Sequence, residues 1–369
     1  MKRFLTILLF IAILTPYAWA QYKTDSQQIT VVYLLPLNSS GIEQSKSAGM
    51  KESKDIDRTF AKSVIGFWCG AQIALDELSE KGHNLKVIAR EVNGDDSVKI
   101  ERIFEEEDVR NAQLIIAPVT KKMFPIVAAH AKELRIPVVN PMSPNSEIVE
   151  GNPFVYKMFP HPDAKAAALV EHFENAHFII WGNHQSEEYT RYFNEHDIAY
   201  TVVDEESSFT SHLKSDADNV VIACPAHTNA YAQVANMLVN RSRMPEFHWV
   251  LPESLLNDNG FDLRTLSPFD LYFLSGFFAD DQGEDAQVFC DKYVRTYSTL
   301  PTVKNFAYQG YDATYFFCEL IINNFHIPKD FTPLCCKLKF RRGDKANGFE
   351  NYGVRLVQLK HLQYTIINQ

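Results

Sequence analysis

Few residues in this chain combine a reactive type with a position from which to act. Thr120 and Lys121 stand between a short apolar run, 113–117, and a helical run, 121–135. A hydroxyl and an ammonium there suit an anionic ligand group, because first-turn amides lack intrahelical partners and carry partial positive charge. An ordinary helix cap with a surface lysine is the equal alternative. Glu253 follows Pro252 at the end of another apolar run and suits a ligand ammonium; a plain loop acid is again the alternative. Ser143, Trp181, Asn183 and His227 occupy equivalent turn positions. Known catalytic patterns are missing: Gly-x-Ser-x-Gly, His-Glu-x-x-His, the Gly-Lys-Ser/Thr phosphate loop and Gly-x-Gly-x-x-Gly. His172 and His177 are five apart, so they do not share a helical face as paired metal ligands would. No Cys-x-x-Cys pair points to zinc or redox chemistry. Neither a metal nor a cofactor is expected, and the pattern is that of a binder.

The elements that must position these residues centre on 113–160. This stretch reads apolar strand, turn (118–120), helix (121–135), apolar strand (136–139), turn (140–145) and an extended exit from 154. Phe124, Val127, Ala128, Ala131 and Leu134 have helical spacing, so the unit is a parallel strand–helix–strand crossover. Ligands of open parallel sheets sit beyond the carboxyl ends of the strands. Half of a site is therefore expected at 118–121 and 141–145. Upstream, 29–35 reads as a strand, 38–57 as a long polar loop (a flap or an excursion without a role), 60–78 as an amphipathic helix stopped by Gly82, 85–91 as a strand and 98–107 as a short helix. After Pro160 the pattern restarts. Asp163 is set to cap an Ala-rich helix, and strands are expected at 178–181, 198–203, 220–224, 248–251 and 271–275. Helices are expected at 187–195, 211–216, 229–240, 285–297 and 306–324, with antiparallel strands at 338–340, 354–359 and 363–367. The fold class is α/β: two doubly wound lobes.

A chain of 369 residues suits two domains. Its formal charge of −10 argues against nucleic acid. Lys2 and Arg3, an apolar run over 5–14 and Ala18-Trp19-Ala20 form a cleavable secretory signal over 1–20; the run is well short of the ~20 apolar residues that span a bilayer. Export makes disulfides possible among Cys69, Cys224, Cys290, Cys318, Cys335 and Cys336. Their irregular spacing inside apolar runs reads more simply as buried thiols, and Cys335 and Cys336 are too close in the chain for an easy mutual bridge.

The order of 34–37, "GAQIALDELSEK" (70–81), 115–118, 136–141 and "YQGYDA" (308–313) resembles the type I periplasmic solute-binding proteins, and within them the leucine/isoleucine/valine-binding branch. The resemblance implies a ligand cleft between lobes joined by three crossings, near 157–159, 273–278 and 339–341. The lobes would be 21–158 plus 280–338, and 159–279 plus 339–369. It implies that the carboxylate loop is 118–122, with Thr120 and Lys121, that Ser143 lies on the second donor loop, and that Glu253 receives the ammonium. Trp181 and His227 stand where the family places cleft aromatics, and neither matches the family residue. The function implied is a periplasmic, monomeric, non-enzymatic capture of an amino acid or similar zwitterion for an ABC-type importer, with the transporter permease as partner. The alternative is an envelope sensor or scaffold with a degenerate cleft, partnered by an envelope protein.

Overall fold

The computed structural model describes residues 28–37, 53–92, 96–204, 209–227, 229–239, 244–257, 263–266 and 268–368. The expected signal segment and most of the expected 38–57 loop lie outside these residues. Residues 53–57 belong to a helix instead.

The first lobe opens with β1 (Ile29–Leu35), α1 (Ser53–Glu80), β2 (Leu85–Glu91), α2 (Ser97–Glu105), α3 (Glu107–Arg110), β3 (Leu114–Ile116), α4 (Phe124–Leu134), β4 (Val138–Asn140) and β5 (Val155–Pro160). The second follows with α5 (Ala164–His172), β6 (His177–Trp181), α6 (Glu187–Glu195), β7 (Tyr200–Val203), β8 (Asn219–Ala223), α7 (Asn229–Val239), β9 (Phe247–Leu251) and β10 (Leu271–Ser275). The chain then adds α8 (Glu284–Tyr297), α9 (Ala307–Ile322), β11 (Phe340–Arg341), β12 (Phe349–Asn351), β13 (Arg355–Lys360) and β14 (Gln363–Ile366). Two seven-stranded sheets result, ordered β11-β12-β5-β4-β3-β1-β2 and β14-β13-β10-β9-β8-β6-β7. The expected two doubly wound lobes are therefore present. No described helix is long and apolar enough to cross a membrane.

The central strands are apolar on both faces because each sheet is covered on both. Val31, Tyr33 and Leu35 point into one core with α1, α8 and α9, while Val32 and Leu34 point into the other with α2 and α4. In the second lobe Ile179 and Trp181 enter one core, and Phe178 and Ile180 the opposite one. The two glycines of the resemblance motifs have a packing reason. A Cβ on Gly70 would overlap the Ala307 carbonyl, and one on Gly310 the Phe67 carbonyl, so α1 and α9 touch backbone to backbone. Asp312, two residues on, is fully buried and accepts the N–H groups of Leu334, Cys335 and Cys336. Burial pushes its carboxyl up, and those three amides with the Arg355 charge oppose the shift.

Four expectations need correction, the smallest being the helix expected at 211–216, where only a single 3-10 turn, Phe209–His212, is present. The first crossing falls after Pro160, since β5 runs to that residue. The third falls after Asn351, since β11 and β12 belong to the first sheet. Phe340 and Phe349 pack on Tyr156 at ring-centroid distances of 5.6 and 4.6 Å, which holds this hairpin on β5. Residues 339–351 thus add strands to the first sheet, against the expectation that 339–369 belongs to the second lobe. Asp163 precedes α5 as expected, but its side chain does not cap the helix. It accepts from Arg191 of α6.

Candidate functional site

At the carboxyl edge of the first sheet, β3 and β4 run side by side and continue into adjacent loops. The Ala117 N–H still donates to the Val139 carbonyl at 2.9 Å. The Thr120 carbonyl accepts from Met123 and Phe124, both at 3.0 Å, which starts α4. Its side-chain Oγ1 is buried without a partner among the described residues. Asn140, fully buried at the end of β4, accepts the N–H groups of Met142 and Ser143 on Oδ1 at 3.0 and 2.8 Å. Among the described residues Asn140 Nδ2 has no partner, and neither does the buried Ser146 Oγ a turn later. Ser143 is buried, and its hydroxyl accepts from the Asn145 N–H at 3.3 Å.

Two loops on one edge therefore hold three polar atoms with unused capacity. Each such buried group costs about 1–3 kcal/mol if nothing meets it. An amide NH₂ and two hydroxyls are donors suited to a carboxylate. Lys121 does not join them. It is 76% exposed and 3.9 Å from Glu147, which is 71% exposed, making a solvated pair. Asn140 and Ser146 were not among the residues singled out in the sequence. Nothing local marks an Asn closing an apolar strand as a buried donor left over by its neighbours.

The second sheet's carboxyl edge is built differently. Trp181 is wholly buried, with Phe209, Tyr231 and Trp249 around its ring at 5.7, 6.1 and 6.3 Å. It is a core residue, because the strand's alternation points position 181 into the lobe and not out along the edge. Gly182 then turns at φ +85°, where the Cys224 carbonyl leaves no room for a Cβ. His227 is exposed beyond β8. Glu253 lies beyond β9, and its carboxylate is already engaged. Oε1 accepts from the Ser275 hydroxyl at 2.6 Å and the Gly276 N–H at 3.2 Å, while Oε2 lies 3.4 Å from Lys165 Nζ. Lys165 also reaches Glu188 at 3.3 Å. The acid thus ties β9 to the second crossing and to α5. Nearby, burial pushes the Cys224 thiol up to about 12, which leaves it protonated and unreactive.

Between the two edges, the crossings are held by polar groups with full partner sets. Asn351 is fully buried. Its Oδ1 accepts from Lys339 and Gly353, and its Nδ2 donates to the Met158 and Lys337 carbonyls. Its own carbonyl accepts from His161 at 2.7 Å. Arg355 donates to the carbonyls of Phe278, Pro333 and Leu334. Lys157 is buried 3.3 Å from Glu350; burial lowers its pKa and the Glu350 charge opposes that. A cavity of about 560 Å³ reaches this region, lined among others by Cys336 and Arg355. A second, about 680 Å³, takes walls from both lobes and the second crossing, including Leu256, Phe278, Asp281, Tyr308 and Tyr364. None of Thr120, Lys121, Ser143, Trp181, His227 and Glu253 lines it.

No family model matches the chain. No curated protein matches it either. Solved structures do. A candidate branched-chain amino acid ABC transporter from Rhodospirillum rubrum superimposes with a TM-score of 0.61 at 11% identity, over 92% of this chain and 100% of its own. An ABC transporter substrate-binding protein from Desulfitobacterium hafniense gives 0.53 at 14% identity over 92% and 100%. A branched chain amino acid ABC transporter periplasmic ligand-binding protein from Burkholderia xenovorans gives 0.52 at 13% identity over 92% and 94%. The fold is that of the type I periplasmic binding proteins.

Proposed function

We propose that this chain is an exported, monomeric solute-binding protein. It captures an amino acid or similar small zwitterion between its lobes for an ABC-type importer in the periplasm, and makes or breaks no bond. The observation that carries this reading is the set of buried groups unpartnered among the described residues, Thr120 Oγ1, Asn140 Nδ2 and Ser146 Oγ, on two neighbouring loops at a parallel sheet's carboxyl edge. Thr120, Asn140 and Ser146 receive the ligand carboxylate, and Ser143 keeps their loop in shape. A ligand ammonium shares Glu253 with Lys165, which Glu188 holds on its other side. The likeness in fold to transporter-linked binding proteins supports the same role.

The second reading, an envelope sensor or scaffold with the same fold, is favoured by one observation: Glu253 is already satisfied within the protein. Isothermal titration of the chain against amino acids and their carboxylate analogues separates the two. Capture predicts saturable binding that Asn140→Asp weakens about 100-fold, or roughly 2.7 kcal/mol, because the donor is lost and a like charge meets the carboxylate. The Asp keeps an acceptor for Met142 and Ser143, so the loop survives. No heat with any ligand supports the scaffold reading.

A further inference from the structure

We propose that Cys335 and Cys336 form a vicinal dithiol that closes into a disulfide across a single peptide unit, at the point where the lobes are joined. Their Sγ atoms lie 3.4 Å apart, and both residues are buried. The backbone is held from both sides, so the thiols are kept facing each other. Asp312 accepts the N–H groups of Leu334, Cys335 and Cys336 at 2.6, 2.8 and 2.9 Å. The Cys335 carbonyl accepts from Phe278 at 2.9 Å, and Cys336 pairs with Phe277 as an isolated antiparallel bridge. Both phenylalanines belong to the second crossing, which puts the pair at the hinge.

Adjacency in the chain argued against an easy bridge, and the geometry refines that. Neighbouring Cα atoms are about 3.8 Å apart, closer than the ~4.4 Å lower end for ordinary disulfides, so the ring is strained and more reducible than a structural disulfide. The exchange partner is a disulfide of the glutathione or protein type. One thiolate attacks it and releases one thiol; the neighbouring sulfur then displaces the second. The pair loses two electrons and two protons, and the external disulfide becomes two thiols. Burial pushes the Cys335 thiol up to about 11 and the Cys336 thiol up as well, so attack in the packed protein is slow and closure belongs to the folding stage. Cys336 lines the cavity of about 560 Å³, which gives a small thiol or disulfide a route to the pair afterwards. Drawing the sulfurs to bonding distance rotates the peptide between them. That peptide carries the carbonyl that holds the Phe278 amide, so closure loosens the second crossing.

The test refolds the full chain in buffers of oxidised or reduced glutathione, then alkylates under denaturing conditions and maps the thiols by mass spectrometry. In oxidised buffer, reactive thiols should fall from six to four, with Cys335 and Cys336 missing and the chain lighter by two hydrogens. Amide exchange at Phe278 should be faster in that form. Cys336→Ser, or Cys335→Ala if the first does not fold, should show no intramolecular bridge. Six reactive thiols in oxidised buffer, or a bridge mapped elsewhere, would overturn the proposal. A bridged pair with unchanged Phe278 exchange would overturn its link to the hinge.

Discussion

At the first sheet's carboxyl edge, Thr120, Asn140 and Ser146 bury polar atoms that have no partner among the described residues. At the second sheet's edge, Glu253 has three partners of its own and Trp181 has withdrawn into the core. The two lobes share an architecture, yet the loops at one edge keep hydrogen-bonding capacity in reserve while Glu253 at the other edge spends its own internally. Buried polar groups are nearly always paired, and the proposed recognition of a ligand's polar end rests on this reserve. The second edge, through Glu253, is tied to the second crossing and to α5. Among the described residues Trp181 Nε1, Trp249 Nε1, His248 Nδ1 and Gln309 Oε1 are also without partners; the two Trp sit inside an aromatic core, and none of the four lies on the loops after β3 and β4.

This contrast holds only if the hinge keeps the lobes in register, and the hinge gives the largest expected effect. Asn351→Leu leaves two amides and two carbonyls without their side-chain partner, which should cost about 3–5 kcal/mol in urea unfolding. A loss under about 1 kcal/mol would mean that the crossings are not held there. Trp181→Phe tests the withdrawn aromatic. A partial cavity in a filled core should lower stability by about 2 kcal/mol and leave ligand affinity unchanged; a large affinity loss with little destabilisation would return Trp181 to the cleft.

Glu253→Gln keeps an acceptor for Ser275 and Gly276 but removes the charge facing Lys165. With Glu188 still holding that lysine and the site part-exposed, the stability cost should be about 1 kcal/mol or less. Affinity for deaminated acids should not change, while affinity for amino acids should fall; equal losses for both would remove the division of labour between the edges. Lys121→Ala should be the mildest. An exposed pair 3.9 Å apart contributes about 0–0.5 kcal/mol, and binding should weaken less than threefold, a change read by the same titration.

A pH scan addresses the hinge itself. Burial, the largest influence, lowers the His161 pKa below 6.5 against the pull of Glu350 and Asp163. The folded state therefore binds that proton less readily than the unfolded chain, so His161's share of stability is present above 6.5 and is lost as pH falls toward its folded pKa. His161→Gln should flatten that part of the curve while the carboxylates' own acid losses remain.

What the amino-acid sequence determined by itself is what depends on near neighbours. The two-faced apolar strands, the Pro and Gly stops and the strand–helix alternation fix a doubly wound order, because each is set within a few residues. Thr120 and Ser143 were legible as edge residues for the same reason. Only the tertiary structure decided what depends on distant partners. Glu253 is tied to Ser275 and Gly276 across more than one element and to Lys165 across most of a lobe. The β11–β12 hairpin lies in the first sheet because Tyr156, far upstream, offers its ring to Phe340 and Phe349. Asn140 reads as a turn residue until its amide is found buried and unmet. Periodicity carries the solvent-facing pattern of each element, but hydrogen-bond satisfaction is a property of the packed whole.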